Sequence, residues 1–364
     1  MITLCPYFLD GYLAQKSHYM QLPREVIVGD DVLGQVGETC RRLGFSGSVL
    51  IVTDSNVQPI AAAPVHHSLS ASGYKVQEVL VRSSSIPQVR EVEREIEKFK
   101  PSVVAAGGGG KDIDIGKLSS ANKGVPFLSI PTAASHDGIA SPVVSMKGYS
   151  KPYSFMAQAP IAIMADVGII ARAPFRLLAS GCGDIVGKYT SVRDWKLAHR
   201  MKNEYYGDYA ADLALMSARL VVRNARTVRT RSETGIRTVV EALVSCGVAM
   251  SIAGSSRPCS GAEHLFSHAL DLTAPHPALH GEQVGVGTIM CAYLHGANWQ
   301  LIRDVLRRIG APTNARELGI ESKYVIKALT IAHKIRPDRY TILGEKGLTR
   351  EAAERLAQVT GVTE

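Results

Sequence analysis

Four of the eleven histidines of the chain lie in one short stretch, between positions 264 and 280. His264 and His268 are four residues apart, so on a helix they project from the same face. His280 begins a second segment after a break marked by two prolines. Imidazole nitrogen is a common ligand of transition metals, so this clustering favours a metal site, although surface or core histidines would give the same pattern. A third ligand must come from elsewhere in the chain.

A carboxylate that could complete the site lies in the segment 181–188, GCGDIVGK, which the pattern places at the start of a long helix. Asp184 could simply cap that helix. Together with His264 and His280, it would give a site of two histidines and one carboxylate with an open position for substrate, as in catalytic zinc sites. Cys182 has the character of a small buried residue.

A second candidate site is the glycine-rich turn at 107–114, GGGGKDID, between a predicted strand and a helix predicted over 113–120. Glycines let the backbone approach a phosphate, and the amides at a helix N-terminus face its charge. Neither GxGxxG nor GxxxxGK[ST] is present, and a plain tight turn is the alternative. Asp54 ends the first predicted strand, where an acid either contacts a ribose hydroxyl or caps the next segment.

The loop after the fourth predicted strand, residues 131–142 (PTAASHDGIASP), is rich in small hydroxyl residues. At the carboxyl end of a strand, Thr132, Ser135 and Ser141 can donate to phosphates or to a nicotinamide amide. Asp137 can orient a substrate hydroxyl. An ordinary polar loop is the alternative, but the neighbouring glycine turn favours a functional role.

Alternating strands and helices in the first half predict an α/β domain with a parallel, Rossmann-like sheet. The predicted strands cover 47–54, 74–81, 102–106, 126–130 and 162–166, with a helix over 89–100 and a β-hairpin formed by 143–147 and 153–156. Helices are predicted in the second half over 184–200, 209–228, 236–252, 260–272 and 285–295. We expect a dinucleotide-binding domain over 1–168 and an all-helical metal- and substrate-binding domain over 169–364, with the active site in the interdomain cleft.

The composition, 46% hydrophobic and 20% charged residues, is that of a soluble globular protein. The net charge of +8 suits an anionic small molecule, an anionic membrane surface or nucleic acid. A stripe of arginines could meet nucleic acid or an anionic membrane, but such charge is ordinary on an exposed helix, so no nucleic-acid partner is expected. The stripe consists of Arg219, Arg223, Arg226, Arg229 and Arg231.

Six cysteines without CxxC pairs indicate reduced thiols, as in a cytoplasm. The N-terminal residues lack the pattern of a secretion signal. The longest apolar run, Val239–Gly254, is interrupted by Glu241 and falls short of the ~20 residues that a membrane span needs. We expect a cytoplasmic protein without an integral membrane segment. The residues up to about 45 include an extension before the first strand to which no role is assigned.

Several long motifs, in this order along the chain, resemble those of the archaeal sn-glycerol-1-phosphate dehydrogenases. The motifs are GGGGKDID, PTAASHDGIASP, GCGDIVGK, SSRPCSGAEHLFSHALD and ALHGEQVGVGTIM. This family belongs to the superfamily of glycerol dehydrogenases, iron-containing alcohol dehydrogenases and dehydroquinate synthases. The resemblance extends from about Val49 to the C-terminus. It implies reduction of dihydroxyacetone phosphate to sn-glycerol 1-phosphate by NADH or NADPH, which supplies the backbone of archaeal ether phospholipids.

The resemblance also implies site residues. It implies zinc on Asp184, His264 and His280, and substrate contacts from Asp137, Asp184 and His268. It implies dinucleotide contacts from Gly110, Lys111, Asp112, Ile113, Asp114, Thr132, Ala133, Ala134, Ser135 and Ser141; the turn and strand-end arguments add Gly108, Gly109 and Asp54. Asp112 departs from the family, where this position is usually small or apolar. Because its carboxylate would repel a pyrophosphate, we expect it to point away.

As a mechanism, a Lewis-acid metal would stabilise the negative charge that develops on the ketone oxygen as hydride arrives. His268 and Asp137 are candidates for the proton relay, and Lys188 and His268 for holding the substrate phosphate. The alternatives are a dehydroquinate synthase-like lyase, a polyol dehydrogenase and, from a different class, a non-catalytic anion-binding protein. The choice between NADH and NADPH stays open, although Asp54 disfavours a 2′-phosphate. A homo-oligomer is expected.

Overall fold

The computed structural model describes residues 18–146 and 153–364. The chain divides into two compact units. Of the described residues, the first unit contains 18–133, 138–146 and 153–173, and the second contains Ala134–Asp137 and Pro174–Glu364. The boundary between the units, after Ala173, lies five residues beyond the predicted boundary after residue 168. The assignment of Ala134–Asp137 to the second unit was not predicted.

The first unit is built on a six-stranded parallel sheet with the strand order β1-β8-β5-β4-β2-β3. Its elements are β1 (Glu25–Gly29), α1 (Val36–Arg42), β2 (Ser48–Thr53), α2 (Ala63–Ala71), β3 (Lys75–Leu80), α3 (Ile86–Phe99), β4 (Val103–Gly108), α4 (Gly110–Asn122), β5 (Phe127–Pro131), β6 (Val143–Met146), β7 (Tyr153–Met156), β8 (Ala162–Asp166) and α5 (Val167–Arg172). The predicted parallel α/β architecture is therefore confirmed. Strands β6 and β7 form a separate antiparallel pair, as predicted, and the turn between them lies outside the described residues.

The sheet is covered on both faces, which explains why its central strands read as unbroken apolar runs. Successive side chains of β2 alternate between the faces. Val49 and Ile51 join a core with residues of α1 and α2, whereas Leu50 and Val52 join a second core with residues of α3 and α4. This burial holds the carboxyl ends of β2 and β4 in fixed positions.

Strand β1 was not predicted, and the expectation that the residues before position 45 precede the first strand was wrong. Glu25–Gly29 pairs in parallel with β8 at the edge of the sheet. An edge strand has a neighbouring strand on one side only, so its residues are less completely buried and its hydrophobic pattern is weaker. Val26, for example, is 43% exposed. The backbone amide of Val32 then donates to the Asp166 carboxylate at 3.1 Å, which ties the segment after β1 to the end of β8.

All regular structure described in the second unit is helical, as predicted for the second domain. The helices are α6 (Phe175–Val186), α7 (Lys188–Lys202), α8 (Asp208–Arg223), α9 (Ala225–Arg229), α10 (Glu233–Ala253), α11 (Ala262–Thr273), α12 (His280–Leu294), α13 (Trp299–Ile309), α14 (Ala315–Leu318), α15 (Ser322–Ile331) and α16 (Arg350–Val359).

Three predicted helix boundaries were wrong. The helix predicted over 184–200 is two helices, α6 and α7, which meet at Gly187, so Asp184 lies near the end of α6 and is not an N-cap. Helix α12 begins at His280 and not at Gly285. The helix predicted over 209–228 is divided at Asn224. In the first two cases glycines inside the helices weaken the helical pattern, because glycine is a poor helix former that packing can override.

Among the described residues, α10 is the one helix long and apolar enough to cross a membrane. Two thirds of its apolar window (67%) is buried inside the protein, as in the core helix of a folded domain. The five described cysteines are all free and buried. In the arginine stripe, the guanidinium groups of Arg229 and Arg231 lie over the ring of Phe175 at 5.2 and 5.1 Å.

Candidate active site

The close packing of α6 against α12 places the candidate ligands. A Cβ atom on Gly183 would overlap the carbonyl oxygen of Gly281, and one on Gly281 would overlap the carbonyl oxygen of Ser180. A Cβ atom on Gly181 would likewise meet the carbonyl oxygen of Ala134. The glycines of the GCG and HG motifs therefore let the backbones approach closely, which brings Asp184 beside the first residue of α12.

The three predicted ligands come together in the second unit. One ligand atom from each of Asp184, His264 and His280 can be chosen so that all three lie within 4.8 Å of one another. His264 Nε2 is 3.4 Å from Asp184 Oδ1, and the two imidazole rings are 5.1 Å apart. Asp184 and His264 are buried, and His280 is half-buried. Three ligands from α6, α11 and α12 can thus converge on one ion.

Each imidazole is oriented by a second group. Glu263 Oε1 lies 2.9 Å from His264 Nδ1, and Ser267 Oγ lies 3.2 Å from His280 Nδ1. Glu263 is itself fixed by bonds from the amide of Gly261 (2.6 Å) and the hydroxyl of Thr190 (2.7 Å). Partners on Nδ1 leave Nε2 of each ring for a metal, which is the usual arrangement around metal-bound histidines.

Asp184 is the most buried member of the site, and its charge is stabilised by neighbours. Burial alone would raise the pKa of Asp184, but the ammonium of Lys188 and the imidazole of His264 hold it well below its ordinary value. Lys188 Nζ donates to Asp184 Oδ1 at 2.7 Å and to Asp137 Oδ2 at 2.8 Å. The backbone amide of Asp137 donates to Asp184 Oδ2 at 2.8 Å. Asp184 is therefore an ionised candidate ligand, and both of its carboxylate oxygens accept hydrogen bonds.

The donor set fits a divalent metal such as zinc. Burial is the largest cause that lowers the pKa of His280 well below its ordinary value, so this imidazole stays neutral. Burial also acts to lower the pKa of His264, but the carboxylates of Asp184 and Glu263 outweigh it and raise this pKa. An ionised carboxylate and two imidazoles are typical zinc donors, and metal binding would release the proton that His264 otherwise favours.

Two further histidines border the triad. His268 is buried one turn after His264 on α11, and its ring lies 5.7 Å from that of His280. His268 Nδ1 is 3.9 Å from the carboxylate of Asp271. The predicted proton-relay and substrate residue therefore lies beside the candidate metal site. His136, to which the sequence reasoning gave no role, is near enough to contribute to the lowered pKa of His280.

Sequence reasoning also missed the groups that fix the start of α12. Glu282 Oε2 accepts from the backbone amide of Leu279 at 3.1 Å, and Arg176 holds the same carboxylate with two bonds of 2.6 and 2.7 Å. A Glu at the third helical position that bonds back to the N-cap is half of a capping box, and this signal was readable from the sequence. Glu282 thus positions His280 without being a ligand.

In the first unit, the glycine turn has the predicted strand–turn–helix form. Strand β4 ends at Gly108, and α4 begins at Gly110, which is earlier than predicted. Asp112 turns back and accepts from the amide of Gly109 at 3.0 Å, in a buried position. Burial is the main cause that raises the pKa of Asp112 to about 7. Asp112 therefore caps its own helix, within the turn that was predicted to bind phosphate.

The side chain of Asp54 has two structural roles. Its Oδ1 accepts from the amides of Asn56 (2.8 Å) and Val57 (3.2 Å), which is the capping role that was the alternative to ribose binding. Its Oδ2 accepts from Lys111 Nζ at 2.6 Å. Lys111 thus connects the start of α4 to the end of β2. Contact of Asp54 with a ribose stays a prediction.

The remaining predicted dinucleotide residues divide between the two units. Thr132 and Ala133 belong to the first unit, whereas Ala134 and Ser135 belong to the second. Several of these side chains have local partners. Ser141 Oγ lies 3.3 Å from both the amide nitrogen and the carbonyl oxygen of Val143. Asp114 Oδ2 accepts from the amide of Ser145 at 3.0 Å. The side chain of Ile113 is buried in the hydrophobic core. Dinucleotide contacts at these positions stay predictions.

Fold and site together define a class of protein. The sequence pattern of the family described as iron-containing alcohol dehydrogenase matches residues 27–174. The fold is similar to the crystal structure of glycerol dehydrogenase from Schizosaccharomyces pombe, with a TM-score of 0.78 at 20% identity over 96% of this chain and 94% of that one. A probable glycerol dehydrogenase from Sinorhizobium meliloti 1021 gives a TM-score of 0.78 at 19% identity over 96% of this chain and 100% of that one. The protein has the fold of this dehydrogenase class.

Sequence relatives identify the family. The chain is 53% identical over 353 residues to a protein of Thermococcus kodakarensis named glycerol-1-phosphate dehydrogenase (NAD(P)+), which covers 96% of this chain and 100% of that protein. A protein of Methanosarcina mazei with the same name is 55% identical over 347 residues, which covers 95% of this chain and 97% of that protein. The chain belongs to the glycerol-1-phosphate dehydrogenase family and is an NAD(P)-dependent oxidoreductase. Membership favours this activity over the lyase and binding-protein alternatives.

Proposed function

We propose that this protein reduces dihydroxyacetone phosphate to sn-glycerol 1-phosphate with NADH or NADPH and a zinc ion. The observation that carries the proposal is the convergence of Asp184, His264 and His280 in a chain more than 50% identical to glycerol-1-phosphate dehydrogenases. As the resemblance implies, the product would supply the backbone of archaeal ether phospholipids. Buried free thiols support a cytoplasmic location.

The triad residues would hold the metal, which supplies Lewis-acid stabilisation of the negative charge that develops on a ketone oxygen during reduction. Glu263 and Ser267 hold the two imidazoles in the tautomer and orientation that present Nε2. Lys188 keeps Asp184 ionised and its position fixed. These buried, preformed contacts mean that little reorganisation is needed when substrate binds.

We propose that Asp137 and His268 contact the substrate. Asp137 is held by Lys188 and by its own amide, so its second carboxylate oxygen is available for a substrate hydroxyl. His268, beside His280, is suited to deliver a proton to the reduced oxygen or to bind the phosphate. Binding of the phosphate by Lys188 stays a prediction; its ammonium is fully buried between the carboxylates of Asp137 and Asp184.

The first unit would hold the dinucleotide, which supplies the hydride. The amides at the start of α4, around Gly110, are the proposed pyrophosphate site, because glycine there permits close approach at the positive end of the helix. Residues Thr132–Ser135 extend the proposed cofactor contacts. The meeting of nicotinamide and substrate in an interdomain cleft stays a prediction.

A spectrophotometric assay of NADH and NADPH oxidation with dihydroxyacetone phosphate, followed by chiral analysis of the product, tests the proposal. We expect metal-dependent oxidation that yields sn-glycerol 1-phosphate. Assays in the reverse direction with glycerol in place of sn-glycerol 1-phosphate distinguish a polyol dehydrogenase. Absence of oxidation with both cofactors, or sn-glycerol 3-phosphate as the product, would overturn the proposal.

We also propose a homo-oligomer. Tyr209, Met216 and Leu220 are 71%, 48% and 37% exposed on α8, at spacings that place them on one helix face. Light scattering after gel filtration should give a mass above that of one chain, and replacement of Met216 by Lys should lower it. A monomeric mass for the wild-type protein would contradict this proposal.

A further inference from the structure

Lys111 lies between two carboxylates at the edge of the sheet where dinucleotides bind. Its Nζ is 2.6 Å from Asp54 Oδ2 and 3.6 Å from Asp112 Oδ1, and it is 3.4 Å from the carbonyl oxygen of Val81. Lys111 is the second residue of α4, and helical side chains tilt toward the helix N-terminus. The ammonium therefore reaches back over the glycine turn to the ends of β2 and β3.

This position is where the adenosine ribose of a bound dinucleotide is expected. Strands β2 and β4 are hydrogen-bonded neighbours, with Val52 opposite Ala106. A pyrophosphate at the start of α4 extends toward the end of the adjacent strand, where an acid accepts from the ribose 2′-hydroxyl, or a cation meets the 2′-phosphate of NADPH. Here the chain supplies both groups, Asp54 and Lys111, in one ion pair.

We propose that Lys111 is the residue that allows this site to accept NADPH as well as NADH. With NADH, the ion pair persists and Asp54 accepts from the ribose 2′-hydroxyl. With NADPH, the ammonium of Lys111 turns from Asp54 to the 2′-phosphate. It then lies between the Asp54 carboxylate and the phosphate and reduces the repulsion between them. This inference rests on the proposed function, because it assigns the specificity of the same dinucleotide site.

The charge of Asp54 and the partial exposure of Lys111 support this movement of the ammonium from Asp54 to the 2′-phosphate. Burial acts to raise the pKa of Asp54, but Lys111 and two backbone amides outweigh it and lower this pKa, so Asp54 is ionised and would repel a 2′-phosphate. The side chain of Lys111 is 28% exposed, so it can turn without unburying a core group. The carboxylates beside it are anchored to backbone amides of Asn56 and Gly109 and keep their positions when it moves.

Two nucleotides that differ only by the 2′-phosphate provide a binding test that is independent of turnover. Adenosine 2′,5′-bisphosphate and AMP are titrated calorimetrically into the wild-type protein and into Lys111→Gln. We expect the wild type to bind the bisphosphate more tightly, and the substitution to weaken bisphosphate binding by about tenfold or more while AMP changes by less than about threefold. Lys123→Gln is the matched control, because Lys123 is also 28% exposed and ion-paired, with Glu97 at the other end of α4.

Steady-state kinetics give the second readout. In Lys111→Gln the ratio of kcat/KM for NADPH to that for NADH should fall by about tenfold, and Asp54→Asn should raise it. Lys111→Arg, which keeps the charge, should retain bisphosphate binding and covers the case in which the glutamine variant does not fold. Equal loss with both nucleotides, an unchanged ratio, or no preference of the wild type for the bisphosphate would overturn the inference. If the wild type oxidises neither cofactor with dihydroxyacetone phosphate, the proposed function fails instead.

Discussion

Gly183 on α6 and Gly281 on α12 face each other so closely that a side chain on Gly183 would overlap the carbonyl oxygen of its neighbour. This contact joins the helix that carries Asp184 to the helix that begins with His280. The distance between two candidate metal ligands is therefore set by two residues that have no side chain. These two glycines therefore help to determine whether the ligands converge.

Gly183→Ala should separate α6 from α12 and reduce both stability and metal binding. Overpacking of a tight contact costs about 1–3 kcal/mol or more, because backbone must move. Calorimetry should show a lower Tm, and elemental analysis of the purified protein should show a loss of bound zinc. Gly34→Ala is the control, since a Cβ atom there meets nothing within 4 Å. Normal metal content in Gly183→Ala would contradict the role of this contact.

His264→Ala should remove metal and activity together, because two protein ligands are too few for a tight catalytic site. The expected loss of kcat/KM is roughly a hundredfold or more. Metal content and turnover are measured on the same preparation. His276→Ala, an exposed histidine of the same stretch, should change neither. If His264→Ala kept full turnover after treatment with a chelator, the metal proposal would be wrong.

Glu263→Gln tests whether the carboxylate on His264 Nδ1 tunes the metal site. Loss of such a group typically lowers metal affinity by about 10- to 100-fold. The amide side chain keeps the size of Glu263, and its oxygen can still accept from both Gly261 and His264 Nδ1, because both contact Oε1. The variant therefore removes the negative charge while the fold should persist. Competition with a chromogenic chelator gives the zinc affinity, and circular dichroism checks the helix content. An unchanged zinc affinity would show that the negative charge of Glu263 does not tune the site.

Asp112→Asn should stabilise the protein at high pH. Burial raises the pKa of Asp112 from its ordinary value to about 7, so the folded state binds this proton more tightly than the unfolded state. Stability from this group is present at low pH and is lost as the pH rises from about 4 to about 7. The variant should therefore exceed the wild type by up to a few kcal/mol above pH 7, with no advantage near pH 4.

The measurement is the difference in Tm between Asp112→Asn and wild type across this pH range. Asp304→Asn, at an exposed position on α13, controls for the change in net charge. A difference that stays constant, or that grows as the pH falls, would be the wrong sign for a buried carboxylate that prefers its neutral form.

The sheet could be predicted from the sequence because its central strands are buried on both faces. Strands β2 and β8 are short apolar runs with a glycine or proline shortly before them and an aspartate at or just after their end, which is a local signal of a buried strand. Strand β1 was not predicted because it is an edge strand with a neighbour on one side only, and its side chains are incompletely buried, with Val26 43% exposed. The boundaries of α6 and α12 were predicted wrongly because the glycines in these helices weaken the helical sequence pattern. The same glycines allow the two helices to pack closely.

The candidate site was predicted unevenly for a related reason. Asp184, His264 and His280 were found from residue type and family motif, even though Asp184 was placed at the wrong end of its helix. Glu263 and Lys188 lie one and four residues from the ligands that they hold. The partners that fix them, Thr190 for Glu263 and Asp137 for Lys188, are distant in sequence, and no local pattern records such pairs. The orientation of the Asp112 side chain away from a pyrophosphate was predicted only from the repulsion between its carboxylate and that group.

The four residues Ala134–Asp137 belong to the helical unit, although the chain before and after them belongs to the sheet unit. Asp137 links these four residues to the candidate site. Its backbone amide donates to the Asp184 carboxylate, and its own carboxylate accepts from Lys188. The stretch from Pro174 onward, taken alone, therefore lacks a residue that contacts the candidate ligand Asp184 and its partner Lys188. Neither unit is one continuous stretch of chain, so a cut of the chain at any single peptide bond leaves at least one unit incomplete.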